Sequence, residues 1–362
     1  MKKANGQKSE KTGGRGFSLS RRAVLAAAAL AAPAVLARRA MAAERCVIGT
    51  WGGDYARLLK QNIGDPILKP EGVHVIQAVA DEAPRVAQLY AQRPLPHGTL
   101  DIACMGSPNG YRTATAGLLA TLDAEQVPNL KNVLPVLHKG SFMPDEFVPH
   151  IWSPQVFVYN PKTVPHPPTS FAELLDPKWK GKVGVQSAAG FWVMLGVALA
   201  VGGSPDDFDQ AKQYLLKLNA NGIRLYPETD YIAPAFKSGE IDIAIIWMAR
   251  AVMWQNAGFP VSAQFPKEGA IMYISGMTVP KNAPDKQAAY KYMNALLEPS
   301  AQVGFAEHMG YHPTVANAKL TGKIAEQLAL PKDARLVQAD YPKVTQLQPE
   351  MEDWWLKNIE RK

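Results

Sequence analysis

Cysteine is scarce in this chain, which has only Cys46 and Cys104 among its 362 residues. Two cysteines are too few for a disulfide scaffold, and they do not form a CxxC pair of the kind that binds zinc or carries redox chemistry. The GxSxG, HExxH, GxGxxG and P-loop motifs are also absent from the sequence. These absences give catalysis no positive support, so we expect no catalytic residue, no cofactor and no metal site.

The sequence also lacks an apolar run long enough to cross a bilayer. Its longest run, residues 23–37, has 15 residues, whereas a membrane-spanning helix needs about 20. The run follows basic residues and precedes Ala40-Met41-Ala42-Ala43. This pattern predicts a signal peptide over residues 1–43, cleaved to release a periplasmic protein. Ser20-Arg21-Arg22 resembles a twin-arginine export signal, and a general secretory signal is the alternative.

A strong excess of positive charge is absent once this leader is set aside. The whole chain has a formal charge of +7 from 39 basic and 32 acidic residues, but residues 1–43 contain nine of the basic residues and one acidic residue. The remainder carries 30 basic and 31 acidic residues. A net charge of −1 argues against a nucleic-acid partner. We expect a monomer that binds a small molecule.

Short apolar runs alternate with helical patterns from Arg45 onward, which is typical of βαβ units and a parallel sheet. Residues 191–201 are apolar on all sides and predict a buried helix. The sequence thus predicts an α/β protein with two lobes. The predicted strands are 46–50, 73–79, 100–105, 156–159, 182–186 and 242–247, and the other predicted helices include 206–218, 231–237 and 285–298.

Several segments, in their order and spacing, resemble the periplasmic spermidine/putrescine-binding proteins of ABC importers. These segments are Thr50-Trp51-Gly52-Gly53-Asp54-Tyr55, residues 99–104 and 116–123, Pro177-Lys178-Trp179-Lys180-Gly181-Lys182, Ser238-Gly239-Glu240, Phe265-Pro266-Lys267-Glu268-Gly269, residues 285–298 and Gly310-Tyr311-His312-Pro313. The resemblance covers nearly all of the chain after residue 43. It implies a two-lobe type II binding-protein fold with a hinged cleft between the lobes, and an inner-membrane ABC permease as partner.

The resemblance places the lobes at residues 44–150 plus 248–310, and at residues 151–247 plus 311–362. Ligands of open α/β sheets bind beyond the carboxyl ends of strands, and the family binds amines between aromatic walls and carboxylates. Each aromatic candidate could instead belong to the core. The candidate ligand-binding residues are Trp51, Tyr55, Ser107, Gln186, Ser187, Trp247, Arg250 and Tyr273.

The chain departs from the family pattern where carboxylates hold the amine. Gly190 and Val193 stand where the family has an acidic pair, Ala249 stands where an aspartate usually follows the cleft tryptophan, and Arg250 adds a positive charge. The ligand is therefore either a polyamine or a zwitterionic, carboxylate or phosphonate solute, and a secreted α/β enzyme is a third possibility. The acids that remain near predicted strand ends are Asp54, Asp81, Glu82, Glu228 and Asp230.

The two cysteines are not expected to form a disulfide with each other. Cys46 lies five residues before Trp51, and Cys104 lies two residues before Gly106. If these strand ends are level in parallel neighbours, the cysteines are offset by about three residues, or roughly 10 Å. This separation exceeds the reach of a disulfide.

Overall fold

The strands of the protein join into one curved, mixed sheet in the computed structural model, which describes residues 44–138 and 145–361. The predicted signal peptide, residues 1–43, lies outside the described residues. The strands are β1 (Glu44–Thr50), β2 (Val73–Val79), β3 (Ile102–Gly106), β4 (Val148–Tyr159), β5 (Val183–Gln186), β6 (Arg224–Tyr226), β7 (Ile243–Trp247), β8 (Ser262–Gln264), β9 (Ala270–Thr278), β10 (His312–Pro313) and β11 (Leu336–Val337).

Helices follow most of these strands and cover the sheet. The helices are α1 (Gly53–Leu59), α2 (Glu82–Gln92), α3 (Ser107–Thr115), α4 (Pro135–His138), α5 (Gly190–Gly202), α6 (Phe208–Ala220), α7 (Ile232–Ser238), α8 (Met248–Asn256), α9 (Lys286–Leu296), α10 (Pro299–Met309), α11 (Gly322–Gln327) and α12 (Tyr341–Trp355). Residues 60–68 and 356–360 continue α1 and α12 as π-helical turns. The predicted α/β fold class is confirmed, and each of the six predicted strands is present.

The sheet order is β2, β1, β3, β9, β4, β7, β5 and β6, with β8 and β10 beside β4 and β11 beside β9. The pairs of β1 with β2 and β3, and of β5 with β6 and β7, are parallel. In contrast, β9 is antiparallel to β3 and β4, and β4 is antiparallel to β7. The parallel group of β2, β1 and β3 therefore runs opposite to the parallel group of β7, β5 and β6. Strands β9 and β4 lie between the two groups and join them.

The core is built mainly from the strands and from α5, whose sequence predicts a buried helix. This prediction is confirmed, because α5 buries Phe191 and Met194 together with most of its other side chains. Burial of each large apolar side chain contributes about 1.5–3 kcal/mol to stability. The residue bounds of the two predicted lobes stay a prediction.

Strand β9 is the main element that the sequence did not predict. Eight of its nine residues are buried, so the strand lacks the alternation of polar and apolar residues that marks a half-exposed strand. Gly276 also interrupts the β-branched character of the run. The structure shows why glycine stands there: a Cβ at this position would lie 2.3 Å from the carbonyl oxygen of Val148 and 2.6 Å from the ring of Phe147.

Both cysteines are buried and free. Their strands are parallel neighbours, which was the condition of the prediction, and Gly49 pairs with Ala103, which places Cys104 level with Thr50. The offset from Cys46 is thus four residues, or about 13 Å, instead of the predicted three. In the part of the chain that is described, no helix is long and apolar enough to cross a membrane.

Candidate functional site

The carboxyl ends of the two groups of strands point toward each other across the middle of β4 and β9. On one side Gly106, the last residue of β3, pairs with Ser275 of β9, and Ser275 pairs in turn with Ile151 of β4. On the other side Trp247, the last residue of β7, pairs with Gln155 of β4. Since these two positions of β4 are four residues apart, the strand ends are offset by about 13 Å along the strand direction, with β9 and β4 lying between β3 and β7.

We call the space between these strand ends the central gap. It is bounded by Trp51 and Gly106 on one side, by Ser187 and Trp247 on the other, and by Tyr273 of β9 between them. The side chains of Trp51, Ser187 and Tyr273 are half-buried, so the gap is open to solvent. Converging strand ends and helix N-termini are where α/β proteins hold small ligands.

An aromatic cluster lines the gap at the end of β7. The ring of Trp247 stacks on Tyr273, with 4.8 Å between ring centroids and an angle of 29°. Trp192, near the start of α5, meets Trp247 edge-on at 5.6 Å and Tyr273 at 5.3 Å. Trp247 is buried, whereas Trp192 and Tyr273 are half-buried and can meet a ligand without rearrangement. Burial raises the pKa of Tyr273, so its phenol is neutral.

A second aromatic pair lies at the end of β1. Tyr55 packs edge-on against Trp51 at 5.1 Å, and its hydroxyl lies 2.8 Å from Nδ1 of His150. Tyr55 is 6% exposed, so it supports the ring of Trp51 from within the core. Burial also lowers the pKa of His150 to about 3, which keeps this imidazole neutral beneath the gap at neutral pH.

Arg85 is a buried cation under Trp51. It is 2% exposed, and its Nε donates to the carbonyl oxygen of Cys104 at 2.7 Å while one Nη donates to that of Ala80 at 2.9 Å. Its guanidinium carbon lies 5.0 Å from the centroid of the Trp51 ring. Within the described residues, Arg85 forms no ion pair at 4 Å or less with a carboxylate, so its charge reaches the gap only partly compensated.

Glu82 is a half-buried carboxylate of the gap. It lies in the first turn of α2, and its Oε1 accepts hydrogen bonds from the backbone N–H of Gly106 at 3.0 Å and from Nδ2 of Asn109 at 2.6 Å. The structure thus brings one of the remaining acids to the end of β3. The exposed Asp54 pairs with Arg57 at 2.9 Å instead, and it does not cap α1, whose N-cap is Gly52.

Arg250 lies on the opposite side of the gap, in the first turn of α8. The backbone N–H of Ala249 donates to Oγ of Ser153 at 3.0 Å, and Ser153 pairs with Tyr273 in the sheet. The nearest polar contact of the Arg250 guanidinium is Sδ of Met253, at 3.4 Å. Its Nε is buried and has no hydrogen-bond partner among the described residues. The charges of Glu82 and Arg250 both act on the phenol of Tyr273.

The remaining predicted residues occupy different positions around the gap. Gln186 is the last residue of β5 and Ser187 follows it, and Nε2 of Gln186 lies 3.5 Å from a carboxylate oxygen of Glu228. Ser107 is wholly buried, and its hydroxyl is 2.6 Å from that of Tyr341. The structure therefore brings Trp247, Arg250 and Tyr273 together, and directs the hydroxyl of Ser107 into the core.

Three residues of the gap were not among the predicted ligand-binding residues: Trp192, Arg85 and Glu82. Trp192 belongs to a run so uniformly apolar that no single face of the helix is distinguished. For Arg85 a signal did exist, because a charged residue shares the buried stripe of α2 with Val86 and Leu89. Glu82 is an acid at a predicted strand end, but its hydrogen bond to Gly106 depends on the order of strands in the sheet.

The fold and the central gap are of the kind in which α/β proteins hold a small solute between opposed strand ends. A profile described as bacterial extracellular solute-binding protein matches residues 73–332, which is more than half of the sequence. The chain belongs to this family of bacterial extracellular solute-binding proteins, as the resemblance of the sequence implied.

Among similar proteins, the spermidine/putrescine-binding periplasmic protein of Escherichia coli K12 is 30% identical over 230 residues, covering 61% of this chain and 66% of the relative. The match therefore spans slightly less than two thirds of that relative's length. A solved structure of a GABA receptor gives a TM-score of 0.74 at 23% identity, covering 86% of this chain and 97% of that chain.

The spermidine/putrescine ABC transporter substrate-binding protein of Streptococcus pneumoniae gives a TM-score of 0.68 at 21% identity, covering 86% of this chain and 99% of that chain. At these identities the two structures establish the fold alone. The type II fold predicted from the sequence is confirmed.

Proposed function

We propose that this protein is the solute-capturing component of an ABC importer and holds one small solute in the central gap, outside the cytoplasm. The observation that carries the proposal is the meeting of opposed strand ends around half-buried aromatic rings and charged side chains. Such a site binds through aromatic contact and a few well-placed polar groups.

The two lobes of this proposal are residues 44–150 plus 248–310 and residues 151–247 plus 311–362, with β4 and β9 running between them. Closure about these strands would enclose the solute and present one closed shape to an inner-membrane permease. We propose no catalytic role, since the gap offers aromatic rings and isolated charges where an enzyme would need a paired nucleophile and base.

The relatives named for spermidine and putrescine make a polyamine one candidate ligand. The charges of the gap favour a solute that is not a simple dication. Arg85 already occupies one face of Trp51, and Arg250 stands beside the ring pair of Trp247 and Tyr273. Two ammonium groups would therefore meet two guanidinium groups, with the half-buried Glu82 on one side of the gap and only the exposed Glu228, beside Gln186, on the other. We infer that a neutral, zwitterionic or anionic solute fits at least as well as spermidine.

A thermal-shift panel of polyamines, amino acids, carboxylates and phosphonates tests the capture of a solute. A bound ligand stabilises the folded protein by RT ln(1 + [L]/Kd), which is about 2.7 kcal/mol at 100 times Kd. We expect at least one class to raise the melting temperature. If no class does so, the proposed function is wrong.

Two substitutions connect such binding to the gap. For the solute that the panel identifies, Trp192→Ala should weaken binding by about tenfold or more in calorimetry, because the ring lines the site. Trp354→Ala, which removes a half-buried tryptophan of α12, is the matched control and should bind as the unmodified protein does. Equal loss in both variants, or in neither, would place the solute elsewhere.

A further inference from the structure

Two half-buried side chains of opposite charge, Glu82 and Arg250, lie on the two sides of the central gap. Glu82 is fixed at the end of β3 by its bonds to Gly106 and Asn109. Arg250 is fixed at the end of β7, because its helix is tied to Ser153 through the N–H of Ala249. The strand ends beneath these two residues are offset by about 13 Å along the strand direction, and both side chains are half-buried.

Each of the two charges retains unused bonding capacity. Oε1 of Glu82 accepts both of its hydrogen bonds, and no donor in the described part of the chain reaches Oε2. Arg250 forms no ion pair with any described carboxylate, and its buried Nε has no partner. An anion in the gap could therefore pair with this guanidinium without displacing another partner.

The surroundings of Arg250 favour an anion, and those of Glu82 favour a cation. Arg250 lies in the first turn of α8, a nine-residue helix, whose positive N-terminal end also favours an anion. On the other side, the carboxylate of Glu82 suits an ammonium group, since a charge-assisted hydrogen bond between the two is stronger than one between neutral groups. Tyr273 lies on β9 between the two sides, where both charges act on it.

We propose, on the basis of the proposed function, that the solute is a zwitterion whose ammonium group meets Glu82 and whose carboxylate meets Arg250. A dication would leave Arg250 unpaired and would place its second ammonium beside that guanidinium. A dicarboxylate would meet the same difficulty at Glu82. A zwitterion satisfies both residues with one molecule.

Four compounds with the same four-carbon chain separate these possibilities: 4-aminobutyrate, butylamine, butyrate and putrescine. Calorimetry on the full mature protein should show 4-aminobutyrate binding more tightly than each of the other three, by about 10-fold or more. Butylamine and putrescine lack the carboxylate that pairs with Arg250, and butyrate lacks the ammonium group that pairs with Glu82. Tighter binding of putrescine or butyrate would overturn the proposal.

Charge-neutral substitutions assign the two ends of the solute. Glu82→Gln keeps an acceptor for the N–H of Gly106 and should weaken 4-aminobutyrate and butylamine by about 10- to 100-fold, with butyrate unchanged. Arg250→Gln should weaken 4-aminobutyrate and butyrate by a similar factor, with butylamine unchanged. Loss of all ligands alike in either variant would indicate a structural role and contradict the assignment.

Matched controls remove the same charges away from the gap. Asp209→Asn removes a carboxylate whose side chain is 99% exposed, and Arg224→Gln removes an exposed guanidinium at the amino end of β6. Both should bind as the unmodified protein does, and the thermal unfolding of every unliganded variant shows that it is folded.

Failure of the zwitterion proposal can be told from failure of solute capture. If the wider panel yields a ligand that carries charge of one sign only, and Trp192→Ala weakens it, the zwitterion proposal is wrong and the proposed function stands. If no compound of either set binds, both fail.

Discussion

Arg85 is a buried cation that adds positive charge beside the central gap. It satisfies two of its donors on backbone carbonyl oxygens, of Cys104 and Ala80, so it remains a cation beneath Trp51. Desolvation lowers its pKa, but an arginine stays protonated at neutral pH. A tryptophan that already faces one cation attracts a second one less strongly, and this limits the use of Trp51 as an amine wall.

The two cysteines lead to a residue-scale prediction about thiol reactivity. Burial raises the pKa of both thiols, that of Cys104 to about 12. Since only the thiolate attacks a disulfide reagent, we expect almost no reaction of the native protein with Ellman's reagent near pH 8. After denaturation in urea without reductant, two thiols per chain should react.

The Cys46→Ser variant is the control, and it should give one thiol after denaturation. Zero thiols in the unmodified chain would reveal a disulfide and contradict the four-residue offset of the two strands. Rapid reaction of the native protein would contradict the burial of both side chains.

At the scale of elements, the pairing of β9 with the bulge in β4 depends on one glycine, Gly276. The pairing of β4 with β9 shifts register between Pro149 and Ile151, beside Gly276. Because a Cβ at residue 276 would overlap the backbone of Val148, Gly276→Ala should lower the free energy of unfolding by about 1–3 kcal/mol. Urea denaturation measures this change.

Gly64→Ala is a suitable comparison for Gly276→Ala. Gly64 lies in a helical segment, and the nearest atoms to a Cβ there are 3.9 Å away. This change should leave stability the same or raise it by up to about 1 kcal/mol, since alanine favours helix more than glycine does. If Gly276→Ala proved no more destabilising than Gly64→Ala, the described packing of β9 against β4 would be wrong.

Elements whose bounds are marked by a local sequence pattern could be predicted. Strands whose bounds depend on pairing with residues far away in the sequence could not. The bounds of β2 were predicted at residues 73–79, as found, because a short apolar run ends there at polar residues. In contrast, β4 extends over residues 148–159 where only 156–159 was predicted, and β9 was missed. Both strands are buried on both faces of the sheet, so their sequences do not alternate between polar and apolar residues as a half-exposed strand does.

The same distinction applies to the candidate site. Trp247, Arg250 and Tyr273 were named from strand ends and from a family resemblance, and the structure places them together. The hydrogen bond from Gly106 to Glu82 requires β3 to lie beside β1 and β9 in the sheet. No local sequence pattern predicts this order of strands. The role of each residue toward a solute stays a prediction.

For the whole molecule, two buried histidines predict how stability depends on pH. Burial lowers the pKa of His150 to about 3 and that of His312 to about 4, from an ordinary value of 6.5. As the pH falls below about 6.5, the unfolded chain binds protons that the folded protein does not. Stability is therefore greatest above pH 6.5 and falls toward pH 4, by about 1.4 kcal/mol per pH unit for each histidine.

Urea unfolding at about pH 7, 6 and 5 measures this slope. His312→Gln should reduce it by about half, because one of the two protons is no longer taken up. His166→Gln, which changes an exposed histidine, should leave it unchanged. A free energy of unfolding that is constant between pH 7 and pH 5 would show that neither histidine is kept neutral by the fold.

The position of β9 between β3 and β4 has a consequence for the order of events during synthesis. β3 is complete when residue 106 has been made, but the strand that covers its free edge ends at residue 278. An uncovered strand edge is a site of mispairing, and sheets with distant partners form slowly. The strands within residues 44–106 must therefore wait for a late part of the nascent chain before the hydrogen bonds of β3 are complete.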